Sequence, residues 1–353
     1  MDYENGQIQV FFGPPGHNAP DDLEQVIVDF IDGAEESLDV AVQELDNPNI
    51  AAAIDRASRR NRASSPSRRI PVRIVVESGY LRESSPVSPP DQGDYEENRL
   101  QMGRLLRGAA HFKLDFNAST FHQKFIIRDY KKPKAALLAG STNFTSTGTG
   151  SNLNNVVIFH NDDVVSAYRK EWNQINQGIF GRLSLQGYKA TEHMVGGTKV
   201  FPLFAPDHNP ELVIVNAILK ATQSIHFAIF TFSGSSTIDD ALLSALGNQV
   251  AVKGVLDRSQ AAHGYCPHPK LINAGADLRR HRLPTLPGFP RPGKLHHKVM
   301  VIDRQAAISG SFNYTDQANR YNDENVFFIH NPAIAQYFID EIDRIYNNLA
   351  ESF

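Results

Sequence analysis

Residues 295–303 read LHHKVMVID, and SGSFNYTD follows at 309–316. Earlier in the chain, FHQKFIIRD occupies 121–129 and AGSTNFTS follows at 139–146. In the second stretch the pattern is His296, one residue, Lys298, four residues, Asp303, then Gly310-Ser311-x-Asn313. In the first it is His122, one residue, Lys124, four residues, Asp129, then Gly140-Ser141-x-Asn143. Six specified residues at roughly 5% usage each recur by chance on the order of 10⁻⁸ times per start position. A lone buried histidine is usually a packed core residue. Two copies of this pattern need a common chemical cause.

Working outward, the surrounding sequence repeats as well. VFFGPPGHNAP (10–20) matches VFPLFAPDHNP (200–210), and VDFIDGAEESLDVAVQEL (28–45) matches VNAILKATQSIHFAIFTF (215–232). Each reads as an amphipathic helix followed by a buried strand. A second helix and strand follow, NIAAAIDRASRR then VRIVV, and TIDDALLSAL then VAVKGVL. Each copy closes on an apolar strand, NNVVIFH (154–160) and ENVFFIH (324–330), and then a helix. This order predicts an α/β fold of two repeats, 1–190 and 191–353, each a mixed sheet between helix layers. The Pro/Ser-rich stretch 84–98 reads as a loop inserted in the first copy.

The motif's chemistry follows from strand geometry. Side chains two apart share a face, so His122 and Lys124 project together, as do His296 and Lys298. Phe125 and Ile127, and Val299 and Val301, bury the opposite face. Asn143 and Asn313, with Ser141 and Ser311, come alongside after the next hairpin. Each half then offers an imidazole, an ammonium and an amide, which is half of a phosphate site. Two facing halves complete it.

The tandem HxKxxxxD…GSxN arrangement resembles the phospholipase D superfamily, and the resemblance covers nearly the whole chain. It implies two such repeats packed as a pseudo-two-fold dimer within one chain. It also implies metal-independent phosphodiester chemistry through a phosphohistidine, with no cofactor and no metal site. On this reading His122 attacks phosphorus and His296 is the acid and base. Lys124, Lys298, Asn143 and Asn313 stabilise the phosphoryl oxygens. Glu324, in NDEN, is expected to hold His296, and its counterpart in the first copy is Asn154. Asp129 and Asp303 are expected to anchor strand ends through local salt bridges.

The substrate is read less directly. The 353 residues carry 35 Lys and Arg against 39 Asp and Glu, a net charge of −4, which gives no global attraction to polyanions. Arginine is nevertheless clustered at 56–73, and Arg279, Arg280, Arg282 and Lys294 lead into the second motif. Together with Ser141 and Ser311, these four are the expected substrate contacts. Such cations favour DNA or RNA as partner. The apolar stretch LPTLPGFP (283–290) keeps a phospholipid substrate as the alternative, and a non-catalytic nucleic-acid-binding role as a third. One cysteine, no basic-apolar leader and no long apolar segment fit a cytoplasmic protein without membrane insertion. Both half-sites lie in one chain, so a monomer is expected to suffice.

Overall fold

The computed structural model describes residues 1–81, 100–105 and 107–353. The loop expected at 84–98 lies outside the described residues. Two mixed sheets carry the fold. The first runs, edge to edge, through Asp2–Tyr3, Ile8–Gly13, Asn154–Phe159, Ala136–Gly140, Lys124–Arg128, Leu38–Val42, Val72–Val76 and His111–Leu114. In the second, Thr198–Ala205, Glu324–His330, Ala306–Gly310, Lys298–Ile302, Ser224–Ile229, Ala251–Leu256 and Asp277–His281 take the same relative order. Each motif strand pairs antiparallel with the strand that follows its repeat's first helix, Leu38–Val42 or Ser224–Ile229, with Lys124 opposite Val42 and Lys298 opposite Ile229. The repeat read from sequence is therefore a repeat of topology.

The strands alternate as their sequences require. Ile126 faces an outer core with Leu23 and Ile27 of helix Leu23–Asp32 and Ile50 and Ile54 of helix Pro48–Arg59. Met300 faces the equivalent outer core, with Ile214 and Ile218 of helix Pro210–Leu219 and Leu242 of helix Ile238–Gly247. Phe125, Ile127, Val299 and Val301 instead enter one inner core shared by both sheets. Helices Asp162–Gln177 and Pro332–Asn348 lie in that inner layer, and each is N-capped by an asparagine, Asn161 or Asn331. Side-chain acceptance of the first free amides by these caps ends the preceding strand and starts the helix.

The inner core welds the lobes together. Tyr168 packs edge-on between Phe125 of the first sheet and Phe204 of the second, at ring separations of 5.2 and 4.9 Å. Phe338 of the second lobe's helix meets Phe12 of the first sheet at 5.1 Å. Phe159 and Phe327 touch directly from sheet to sheet at 5.5 Å. The expectation of a sheet between helix layers holds, with the inner helix layer common to the two lobes. Because neither lobe has a complete core alone, they are expected to unfold in one transition. The fluorescence of Trp172, the chain's single tryptophan, should coincide with far-ultraviolet circular dichroism along a urea titration. Phe338→Ala should shift both curves together, costing about 3–5 kcal/mol. Separate transitions for the two probes would contradict a shared core.

Candidate active site

Lys124 and Lys298 open their strands, and His122 and His296 lie two residues earlier, at the meeting line of the lobes. What fixes the histidines is a pair of short parallel bridges between lobes, Phe121 with Asp323 and Leu153 with Leu295. His122 N donates to Asp323 O at 2.9 Å, and Asp323 N donates to Thr120 O at 3.1 Å. In the mirror arrangement His296 N donates to Leu153 O at 3.0 Å, and Leu153 N to Lys294 O at 2.9 Å. Each histidine segment is thus stitched to the start of the closing strand of the opposite lobe.

That stitching exchanges the ring partners. Glu324 Oε2 lies 2.7 Å from His122 Nδ1, and Asn154 Oδ1 lies 2.9 Å from His296 Nδ1. The expectation that Glu324 holds His296 is corrected: it holds the histidine of the other lobe, because the bridges cross. Asn154 Nδ2 donates to Gly148 O at 2.8 Å, so its Oδ1 is the acceptor and His296 Nδ1 carries the hydrogen. In both rings Nε2 is left for chemistry.

The serines of the motif belong to this supporting layer. Ser141 Oγ donates to Asn154 Oδ1 at 2.8 Å and Ser311 Oγ to Glu324 Oε2 at 2.5 Å. Both serines are fully buried, so the expectation that they touch substrate is corrected to one of orienting the residues that orient the histidines. Asn322 Nδ2 completes the cradle of Glu324 at 3.0 Å from Oε1. The glycines before the serines permit the approach. A Cβ at Gly140 would sit 2.3 Å from Asn155 O, and one at Gly310 2.2 Å from Asn325 O.

Asp129 and Asp303 stand at the far end of the motif strands. Asp129 accepts the main-chain amides of Glu35, Glu36 and Ser37, and Asp303 those of Thr222, Gln223 and Ser224. Both have positive φ, 54° and 53°. They fasten strand ends, as expected, but through amides rather than salt bridges, and their place in the catalytic set is withdrawn. A five-residue strand puts them roughly 16 Å from the lysines.

The expected cationic approach is mostly occupied elsewhere. Arg279 lies 4.1 Å over the Tyr346 ring and donates to Tyr346 O. Arg280 and Arg282 share Glu351, at 3.0 and 3.5 Å. Their region begins three strands from Lys298–Ile302, roughly 14 Å at ~4.8 Å per strand. The earlier cluster is spent locally too: Arg56 on Asp32, Arg59 on Asp55, Arg62 on Glu36 and Arg73 on Asp39. Lys294 alone of the four expected second-motif cations reaches the site. It is exposed, with Nζ 5.8 Å from the Phe230 ring centre.

Three positions were missed from sequence. Gln43 Oε1 accepts from Lys124 Nζ at 3.1 Å. Glu44 Oε1 accepts from Asn143 Nδ2 at 2.9 Å and from the Tyr80 hydroxyl at 2.7 Å. Phe230 takes the position of Gln43 in the second lobe, its ring 4.9 Å from that of His296. The repeat alignment, which sets QEL against FTF, carried the signal, but as a difference with no motif to interpret it.

Electrostatics join the halves into one site. Burial pushes His122 down to about 4, against the opposing attraction of Glu324. Burial drives His296 well below its ordinary value, with Lys298, Lys124 and His122 adding to the effect. Lys124 falls to about 7 and Lys298 well below its usual range, again through burial first. Lys298 depresses His122 and Lys124 depresses His296, so the four groups converge across the lobe boundary. Such a cluster of desolvated cations is tuned to receive an anion.

A family model described as cardiolipin synthase, PLD-like domain, matches residues 27–176 and 214–346. A protein named phospholipase D from Rickettsia conorii is 31% identical over 157 residues, spanning 44% of this chain and 73% of that protein. The crystal structure of the phospholipase D family member Nuc from Salmonella typhimurium matches at 26% identity and a TM-score of 0.38, over 44% of this chain and 98% of its own. Phosphatidylserine synthase from Haemophilus influenzae superposes over 98% of this chain and 87% of its own, with a TM-score of 0.67 at 13% identity, which is a likeness of fold.

The exchanged partners can be read directly by titration. In an NMR pH titration His122 should titrate near 4. Glu324→Gln should lower that value further, since the carboxylate is what raises it, while leaving His296 nearly unmoved. A larger change at His296 than at His122 would contradict the crossed pairing.

Proposed function

The chain belongs to the phospholipase D superfamily, with both PLD-like domains in one polypeptide, and on that premise we propose that this phosphodiesterase is a metal-independent nuclease working through a phosphohistidine on His122. The observation that carries the choice of histidine is the 2.7 Å contact between His122 Nδ1 and Glu324. When Nε2 attacks phosphorus the imidazole becomes cationic, and a buried carboxylate on Nδ1–H stabilises that charge. His296 has only a neutral amide oxygen behind it, which suits a group that gives up and recovers a proton.

The sequence of events balances as follows. His122 Nε2 forms an N–P bond while the P–O bond to the leaving group breaks. The leaving oxygen takes the proton of His296 Nε2. A water then gives its proton to His296, its oxygen attacks phosphorus, and the N–P bond breaks to restore His122. Lys124, Lys298, Asn143 and Asn313 stabilise the equatorial oxygens, so their charge serves where other phosphodiesterases use metal ions. Burial holds both histidines below their ordinary value, and the negative charge of a bound phosphodiester supplies the field that protonates His296.

Nucleic acid is favoured by the electropositive character of the His296 side, where Lys294 stands exposed beside Lys298. A phospholipid substrate is the second reading, supported by the name of the Rickettsia relative. Of the apolar loop that suggested it, Leu283 is buried, and Leu286 and Phe289 are half-buried against Gly16 and Gly150 of the other lobe.

The test is cleavage in EDTA of single- and double-stranded DNA and RNA, set beside phosphatidylcholine and cardiolipin vesicles. Nucleic-acid cleavage is the expected outcome, and turnover of lipid alone would overturn it. His122→Asn and His296→Asn should each lower the rate by several orders of magnitude. Rapid quenching in denaturant at alkaline pH, where an N–P bond survives, should leave label from the substrate on the wild type and never on His122→Asn. Specific activity should not change on dilution, since one chain supplies both half-sites.

A further inference from the structure

The two halves of the pocket carry the same reactive groups but different walls. Val42 pairs with Lys124 and Ile229 with Lys298, so the residues that follow them, Gln43 and Phe230, occupy matching places. On the His122 side the wall is polar and acidic, with Gln43 bonded to Lys124 and Glu44 bonded to Asn143 and Tyr80. On the His296 side it is the half-buried ring of Phe230. The Lys298 and Lys294 ammoniums lie 5.0 and 5.8 Å from its centre.

Resting on the nuclease reading, we infer that Phe230, rimmed by Lys294, is the wall on which the base of the leaving nucleotide stacks. Three observations converge on this. The leaving group departs beside its proton donor, and Phe230 is the side chain whose ring meets His296, at 4.9 Å. An aromatic face accepts any planar base without sequence preference. Two ammoniums next to that face repel a cationic alcohol such as choline, and the exposed one is placed to meet the next phosphate of a polyanion. The exposed ammonium of Lys294 therefore directs the polymer out of the pocket along the second lobe.

The experiment compares two single-stranded oligonucleotides with one cleavable phosphodiester, the leaving nucleotide being either intact or abasic. Base stacking on an aromatic residue is worth on the order of tenfold to a hundredfold in binding. For the wild type, kcat/KM should favour the intact substrate. In Phe230→Leu and Phe230→Gln that preference should fall about tenfold or more, and Phe230→Trp should keep it. Lys294→Gln should raise KM and flatten the salt dependence with little change in kcat. If Phe230→Leu slows both substrates alike, the ring merely supports His296 and Lys298 and the inference is overturned. Phe230→Trp, which preserves the bulk of the wall, keeps the test open should the smaller variants not fold. A wild type that cleaves phosphatidylcholine and neither oligonucleotide would bring down the nuclease reading itself. A wild type that cleaves both with no preference would bring down the stacking wall alone.

Discussion

Two short parallel bridges, Phe121 to Asp323 and Leu153 to Leu295, set the chemistry of this protein. They cross between lobes, so the residue that orients each histidine comes from the other half of the chain. Duplication gave two copies of one unit, and the bridges make each copy complete its neighbour. A change confined to one copy therefore acts on the other copy's imidazole. The repeats have diverged at this point, with Glu324 in one and Asn154 in the other, so one imidazole has a carboxylate on Nδ1 and the other a neutral amide oxygen.

Holding such a site together is costly. Two ammoniums and two imidazoles sit at no more than 7% exposure, and burial is the largest influence on each. Desolvated cations without an anion are destabilising. The compensation is structural. A continuous inner core runs from sheet to sheet through Tyr168, Phe204, Phe12 and Phe338. Asp129 and Asp303 pin the distal ends of the motif strands to three amides each. The rigid frame keeps the lysines in place while the pocket waits for negative charge, which is the preorganisation that phosphoryl transfer exploits.

Much of this was legible in the sequence, for a physical reason. Strand periodicity separates Lys124 and Ile126 from Phe125 and Ile127, and motif spacing is a consequence of strand and hairpin geometry. The duplicated pattern thus gave the fold, the two-fold arrangement and the central polar groups. What could not be read was which lobe each supporting group would serve. Glu324 stands downstream of His296 in the same repeat, and nothing in spacing reveals that the bridges cross. Charge runs misled in a similar way: Arg279 and Arg280 read as an approach to the site, but sequence does not show that Tyr346 and Glu351 already hold them. The walls, Gln43, Glu44 and Phe230, lay in ordinary strand ends with no motif to mark them.

The central claim is that both lobes close on one anionic centre, with His122 as the group that bonds to phosphorus. A crystal structure with vanadate or tungstate tests it most directly. The account predicts one oxyanion at the lobe boundary, its metal atom within bonding distance of His122 Nε2. Lys124, Lys298, Asn143 and Asn313 should surround its oxygens, and His296 Nε2 should face it from the opposite side. An oxyanion held by the groups of a single lobe, or bonded to His296 with His122 turned away, would contradict it.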